Sequence, residues 1–152
     1  MAEIPPPGAA AGRPRSRAVA TWLALVGGGF GLHRFYLHGG RDVWAWLHPW
    51  PTLVGAYGFW RMREFGVDDA RGSLLVPFLG VMLATTMLQA IVYGLASDER
   101  WAARHGAASA ALQRGWLTYF GVVVALAVGT SVAVATIAFT AQRYFESRAA
   151  IT

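Results

Sequence analysis

The chain has 152 residues, of which 55% are hydrophobic and 14% charged, with a mean hydropathy of +0.40, a net charge of +5 and a pI near 10.4. That composition excludes an ordinary water-soluble domain and makes a lipid bilayer the expected solvent. No cysteine occurs, which removes disulfides, thiolate nucleophiles and cysteine metal sites.

Residues 1–17 read as a flexible basic tail: Pro5, Pro6, Pro7 and Gly8 lead into an alanine run and then Arg13, Arg15 and Arg17. Residues 18–32 carry no charge and are predicted as a first span. Fifteen helical residues reach only about 22 Å, so Phe35, Tyr36 and Leu37 are expected to extend the apolar reach into the interface. A cleaved signal peptide does not fit, because the run ends in His33-Arg34-Phe35-Tyr36 and not in small residues.

Residues 43–60, free of Asp, Glu and Arg, form the predicted second span. Pro49 and Pro51 each remove a backbone donor and push His48 and Trp50 away from helical geometry, which predicts a kink or a late helix start near Pro51. Trp44, Trp46 and Trp50 at one end, with Tyr57, Phe59 and Trp60 at the other, resemble interfacial aromatic belts.

Residues 74–96 are uncharged and long enough to cross about 30 Å of hydrocarbon, with Pro77 in the expected first turn. Next, Ser97 is suited to cap a short interfacial helix near 98–105, with Asp98 and Glu99 in its first turn, Gly106 as its stop and Trp101 at headgroup depth. Residues 115–141 form the fourth predicted span, within a second hairpin covering 73–142, and 143–152 a C-terminal tail.

The expected fold is therefore an all-α integral membrane protein with four transmembrane helices arranged as two hairpins, since strands or irregular segments would leave backbone groups unpaired in lipid. All basic side chains are arginine, as a GC-rich genome would produce. On this topology Arg13, Arg15, Arg17, Arg61, Arg63, Arg71, Arg143 and Arg148 face one side and Arg34, Arg41, Arg100, Arg104 and Arg114 the other. The positive-inside bias then puts both termini in the cytoplasm of a multi-pass protein in a bacterial-type inner (cell) membrane. These arginines flank apolar spans, so no nucleic-acid partner is expected. The expected partners are the bilayer itself and a membrane protein or a second copy of the chain.

The glycine-rich stretch with Gly27, Gly28, Gly29 and Gly31 runs into His33-Arg34-Phe35-Tyr36-Leu37, a turn at Gly39-Gly40, and a second span closing Gly55-Ala56-Tyr57-Gly58-Phe59-Trp60. In that order these features resemble the TM-two domain, a two-helix membrane module, over residues 18–72. His38 stands where that family usually has glycine, and Trp60 leads into Arg61-Met62-Arg63-Glu64 where an aspartate often follows. The resemblance implies a membrane hairpin and names a module without assigning a reaction. On physical grounds the His33, Arg34, Phe35 and Tyr36 motif is an interface lock, with Arg34 reaching a headgroup phosphate or Asp42.

Within the third span Thr85, Thr86 and Gln89 form a polar cluster, and Thr85 and Gln89, four apart, are placed to hydrogen-bond to another helix. In the fourth, Gly121, Ala125, Gly129 and Ala133 recur every four residues and offer a close-packing stripe; Ala20, Ala24 and Gly28 do so in the first. The four histidines suggest interfacial hydrogen bonding, with neither metal nor other cofactor expected. All carboxylates fall in tails or loops, and nothing resembles a catalytic triad. The function expected is a non-enzymatic interaction or accessory role in a membrane assembly. The alternative is a small membrane transporter or channel built around Thr85, Thr86, Gln89 and the proline-bent second span.

Overall fold

The computed structural model describes residues 14–110, 112 and 115–149. Among these, all regular structure is helical. Arg13 and Arg114 lie outside them, as does most of the expected N-terminal tail.

Helix α1 (Arg17–Gly27) turns Ala20, Thr21 and Ala24 inward. It does not continue as a span. Gly28–Phe30 form a single 3-10 turn, and Gly31 adopts φ 74, a left-handed conformation open to glycine at little cost. A Cβ there would stand 2.5 Å from the Ala45 carbonyl oxygen. The chain reverses, and α2 (Leu32–His38) runs back beside α1 until Gly39 at φ 84 ends it. The Ser16 amide donates to the Tyr36 hydroxyl at 2.9 Å, so the start of α1 lies beside the last turns of α2.

The expectation of a first crossing over 18–32 is corrected by this reversal: α1 and α2 form a helical wedge that turns back at Gly28–Gly31. Its tip meets the middle of the long helix α5 (Ala70–Leu95), where Gly28 abuts Thr86. The carbonyl of Gly29 at the tip accepts from the Thr52 hydroxyl at 2.7 Å, which satisfies a group otherwise stranded inside the bundle.

Asp42 caps α3 (Val43–Leu47) by accepting from the Trp44 amide at 3.1 Å. The next helix, α4 (Pro49–Phe65), begins at Pro49, earlier than expected, and His48 between them keeps helical angles of φ −59 and ψ −41. The prolines break the hydrogen-bond ladder without bending His48 out of helical space, because a proline in the first turn lacks only a donor that has no partner there. Gly55 and Gly58 let α4 approach the backbone of α5 at Leu79, Leu75 and Val76.

Asp69 caps α5 by accepting from the Gly72 amide at 2.7 Å, so α5 starts before residue 74 and Pro77 falls in its interior. There proline withholds the amide that would bond to the Ser73 carbonyl. Past α5, Ser97 caps α6 (Asp98–His105), which stops at Gly106, φ 87; α7 (Ala107–Ala110) is one turn. Helix α8 (Trp116–Ala149) returns the full length of the bundle and absorbs 143–149, which were expected as tail.

Two ends of the bundle result. One carries residues 14–17, the corner around Asp42, and α6: the Arg15 amide donates to the Ser109 hydroxyl at 2.9 Å, and Arg17 pairs with Asp98. The other carries the α4–α5 connection and the end of α8, where Arg143 bonds to the Val67 carbonyl and Asp68. The first and last described residues therefore sit at opposite ends, whereas the expected topology put Arg15 and Arg17 on the same side as Arg143 and Arg148; the termini themselves lie outside the described residues.

Helices α5 and α8 are long and apolar enough to cross a membrane. Only 17% and 11% of their most apolar windows are buried inside the chain. Core helices of a soluble protein would be covered.

At the far end Asp69 also accepts from Arg61 Nε and Nη2, both at 2.9 Å. That bidentate contact, ahead of the Gly72 amide, holds its carboxyl at about 2, below the usual 3.8. The folded state thus binds the proton less readily than the unfolded chain, so the stabilisation is whole above pH 3.8 and is lost as pH falls toward about 2. Thermal melts in detergent across that window should fall more steeply with acid for the native chain than for Asp69→Asn; equal slopes would show that the pair does not hold this end.

Candidate functional site

The motif residues lie on α2, with His33 buried and Arg34, Phe35 and Tyr36 partly exposed. His33 faces inward and is 0% exposed. Its ring lies 5.5 Å from the His48 ring and 5.8 Å from the Tyr93 ring, centroid to centroid. Gln89 lies beside it on α5, yet neither imidazole nitrogen nor Gln89 Oε1 has a hydrogen-bond partner among the described residues. His48 is fixed separately, with Nδ1 2.6 Å from the Trp44 carbonyl oxygen.

Arg34 points the other way and donates from Nε to Asp42 Oδ2 at 2.8 Å. His38 Nδ1 stands 3.6 Å from the same oxygen. The Arg34 hydrogen bond is the largest cause holding the Asp42 carboxyl below its usual range. Phe35 packs edge-on against Trp46 at 5.2 Å, and Tyr36 accepts from Ser16. One short helix thus ties the start of α1, the α3 cap and the face of α5 together.

The same end holds two residues for which the sequence offered another role. Trp101, expected at headgroup depth, is 2% exposed. Its Nε1 donates to the Arg15 carbonyl at 2.9 Å, and its ring lies 4.2 Å from the ring of His105. Arg17, read as part of a solvated tail, is 3% exposed. It reaches the carbonyls of Ala96 at 3.2 Å and Ala110 at 3.5 Å, pairs with Asp98, and lies over Trp101 at 5.9 Å. No local signal marks either: their partners are distant in sequence, and an arginine beside an apolar run reads first as a topology signal.

The polar cluster of α5 divides. Thr85 is exposed and donates to its own helix at the Val81 carbonyl, 2.8 Å. Thr86 is buried against Gly28 and donates to Leu83, 3.0 Å. Thr85 and Gln89 therefore make no shared bond to another helix; the buried face runs through Thr86 and Ala90.

Along α8, Gly121 meets Thr21 and Trp22 of α1, Ala125 joins a core with Ala24, Met87 and Ala90, and Gly129 faces the Met87 side chain. Ala133, further along, lines a shallow apolar groove between α5 and α8. Ala20 and Ala24, likewise small, are both fully buried on α1.

Comparisons with family models, with curated proteins and with solved structures find no match. The site must be read from its own chemistry. Among the described residues no group of three or more His, Cys, Asp or Glu is arranged to hold a metal ion. What the corner does offer is a cleft of about 400 Å³ between α2, α5 and α6, bordered by Arg34, His38, Arg104 and His105.

Proposed function

We propose that the chain is a non-enzymatic, multi-pass membrane protein acting as an interaction or accessory component of a membrane assembly. The observation that carries this reading is the apolar surface left uncovered along α5 and α8. Phe78, Val81, Leu88, Val123, Val134 and Ile137 are 49 to 69% exposed, while small residues fill the interior. Water would not tolerate a continuous band of that kind, and lipid or another membrane helix would.

In this reading α3 and α4 together, α5 and α8 cross the bilayer, and the α1–α2 wedge enters and leaves by one face. The resemblance of residues 18–72 to the TM-two module agrees with a membrane setting for the first half, while the reversal at Gly28–Gly31 departs from that module's first crossing. Arg15, Arg17, Arg34, Arg41, Arg100 and Arg104 share the wedge face, so the positive-inside bias orients that face to the cytoplasm of a bacterial-type cell membrane and the end of α8 outward. A partner membrane protein or a second copy would cover part of the apolar band.

The transporter or channel reading retains one favouring observation. A glycine turn at mid-bundle depth, beside a buried histidine with no hydrogen bond, is a form of broken helix that substrate paths use. Gentle extraction from native membranes should yield the chain with a stoichiometric partner or as a defined oligomer. A lone monomer that passes solutes in liposomes would overturn the accessory role in favour of transport.

A further inference from the structure

We propose that the cleft between α2, α6 and the last turns of α5 binds a phosphate-bearing anion, namely the headgroup of an anionic phospholipid or free phosphate. The proposal rests on the membrane reading only for the lipid source.

Six residues line the cleft: Arg34, Leu37, His38, Tyr93, Arg104 and His105. Two carry permanent positive charge, two are imidazoles and none is acidic. The nearby carboxylate, Asp42, is already engaged by Arg34 Nε and by the Trp44 amide. Both Nη groups of Arg34 remain without a hydrogen bond among the described residues, and Arg104 has no ion-pair or hydrogen-bond partner there from its side chain.

Like charges are gathered here without a matching number of acids, which costs free energy unless an anion completes the set. His105 registers the same imbalance. Its imidazole is held below the usual value by burial first, then by Arg15, His38 and Arg104, with the backbone at Trp101 opposing.

The shape fits the chemistry. Guanidinium groups offer forked donors that match phosphate oxygens, and imidazoles add single donors. The partly buried Tyr93 ring, backed by the buried Leu37, supplies an apolar wall beside the charged rim, as a glycerol backbone and the first methylenes of a lipid would require. The cleft volume lies within the range usual for small-ligand sites, roughly 300 to 1,000 Å³.

The test uses the full chain, delipidated in a neutral maltoside. One portion receives equal amounts of phosphatidylglycerol and phosphatidylcholine and is read by native mass spectrometry; a second receives inorganic phosphate and is read by its thermal midpoint. Retention of phosphatidylglycerol over phosphatidylcholine, weakened about tenfold by Arg104→Gln and unchanged by Arg100→Gln on the same helix, is the expected result. Stabilisation by phosphate that Arg104→Gln abolishes, without lipid preference, supports the same cleft and assigns it the free anion. If neither probe distinguishes Arg104→Gln from Arg100→Gln, while both variants melt as the native chain does, the cleft is not an anion site. That result would leave the membrane reading standing, since solubility without detergent is what would remove it.

Discussion

Gly55→Ala is expected to destabilise the fold by about 1 to 3 kcal/mol, the range for forcing a methyl into a closed contact. The added Cβ would fall on the backbone of Leu79, at its amide nitrogen and Cα, where no rotamer change can make room. Backbone against backbone is the closest approach two helices can make, and only glycine permits it. One turn on, Gly58 meets Leu75 and Val76 in the same way, its Cβ 2.6 Å from that of Leu75. Gly55→Ala/Gly58→Ala should therefore separate α4 from α5 and lower the unfolding midpoint in detergent further than either change alone. Gly40→Ala is the control: nothing lies within 4 Å of its added Cβ, and its φ is not positive. A Gly55→Ala midpoint indistinguishable from that of Gly40→Ala would show that α4 does not rest on α5 through this face.

Arg17→Gln should be the most disruptive polar change, at about 2 to 4 kcal/mol. Two part-buried backbone carbonyls lose a charged donor held by a buried guanidinium, and each such loss costs about 1 to 3 kcal/mol where water does not replace it. Asp98 is itself 64% exposed, so its half of the ion pair is rehydrated and adds little. The consequence is local as well as global. Without Arg17 across it, the lid formed by α6 and α7 loosens over the wedge and Trp101 gains water. A red shift in tryptophan emission, with protease cutting between residues 96 and 110, is the expected signature. Asp98→Asn should produce a smaller shift, because the carbonyl bonds of Arg17 persist. A native emission spectrum in Arg17→Gln would rule out the clamp.

Both positions illustrate what a single chain read as text conceals. Gly55 and Gly58 stood out as part of a closing motif, and their work as contact points depends on where α5 lies. Arg17 looked like the last residue of a basic tail because charge beside an apolar run has a topological meaning, whereas its acceptors are about 80 to 90 residues away. By contrast α6 was legible residue by residue: a serine cap, two acids in the first turn and a glycine stop act within a few residues of each other. The same locality explains Asp42 and Arg34, eight apart and bonded across one turn.

The histidine-arginine corner was legible as a boundary and opaque as a site. Its residues form an interlock around Asp42 and Ser16, and the cleft beside it draws half of its charge from α6, which the expected topology put on the same face without saying that it would close against α2. The polar residues of α5 show the converse. Helical spacing groups Thr85 with Gln89, but the wedge approaches the bundle from the side of Thr86, and its Gly28 decides which hydroxyl is covered.

Composition and run length alone settled that this is a helical, lipid-compatible chain and marked α5 and α8, because hydropathy sums over a window and needs no knowledge of neighbours. How often the chain traverses the bundle was decided only in three dimensions. A run such as 18–32 counts oily residues but carries no direction, and its reversal depends on Gly31 at positive φ, the Ala45 carbonyl against it, and a hydroxyl from Thr52 that satisfies the turn. Those contacts come from other helices, and with them the first and last described residues were sent to opposite ends of the bundle.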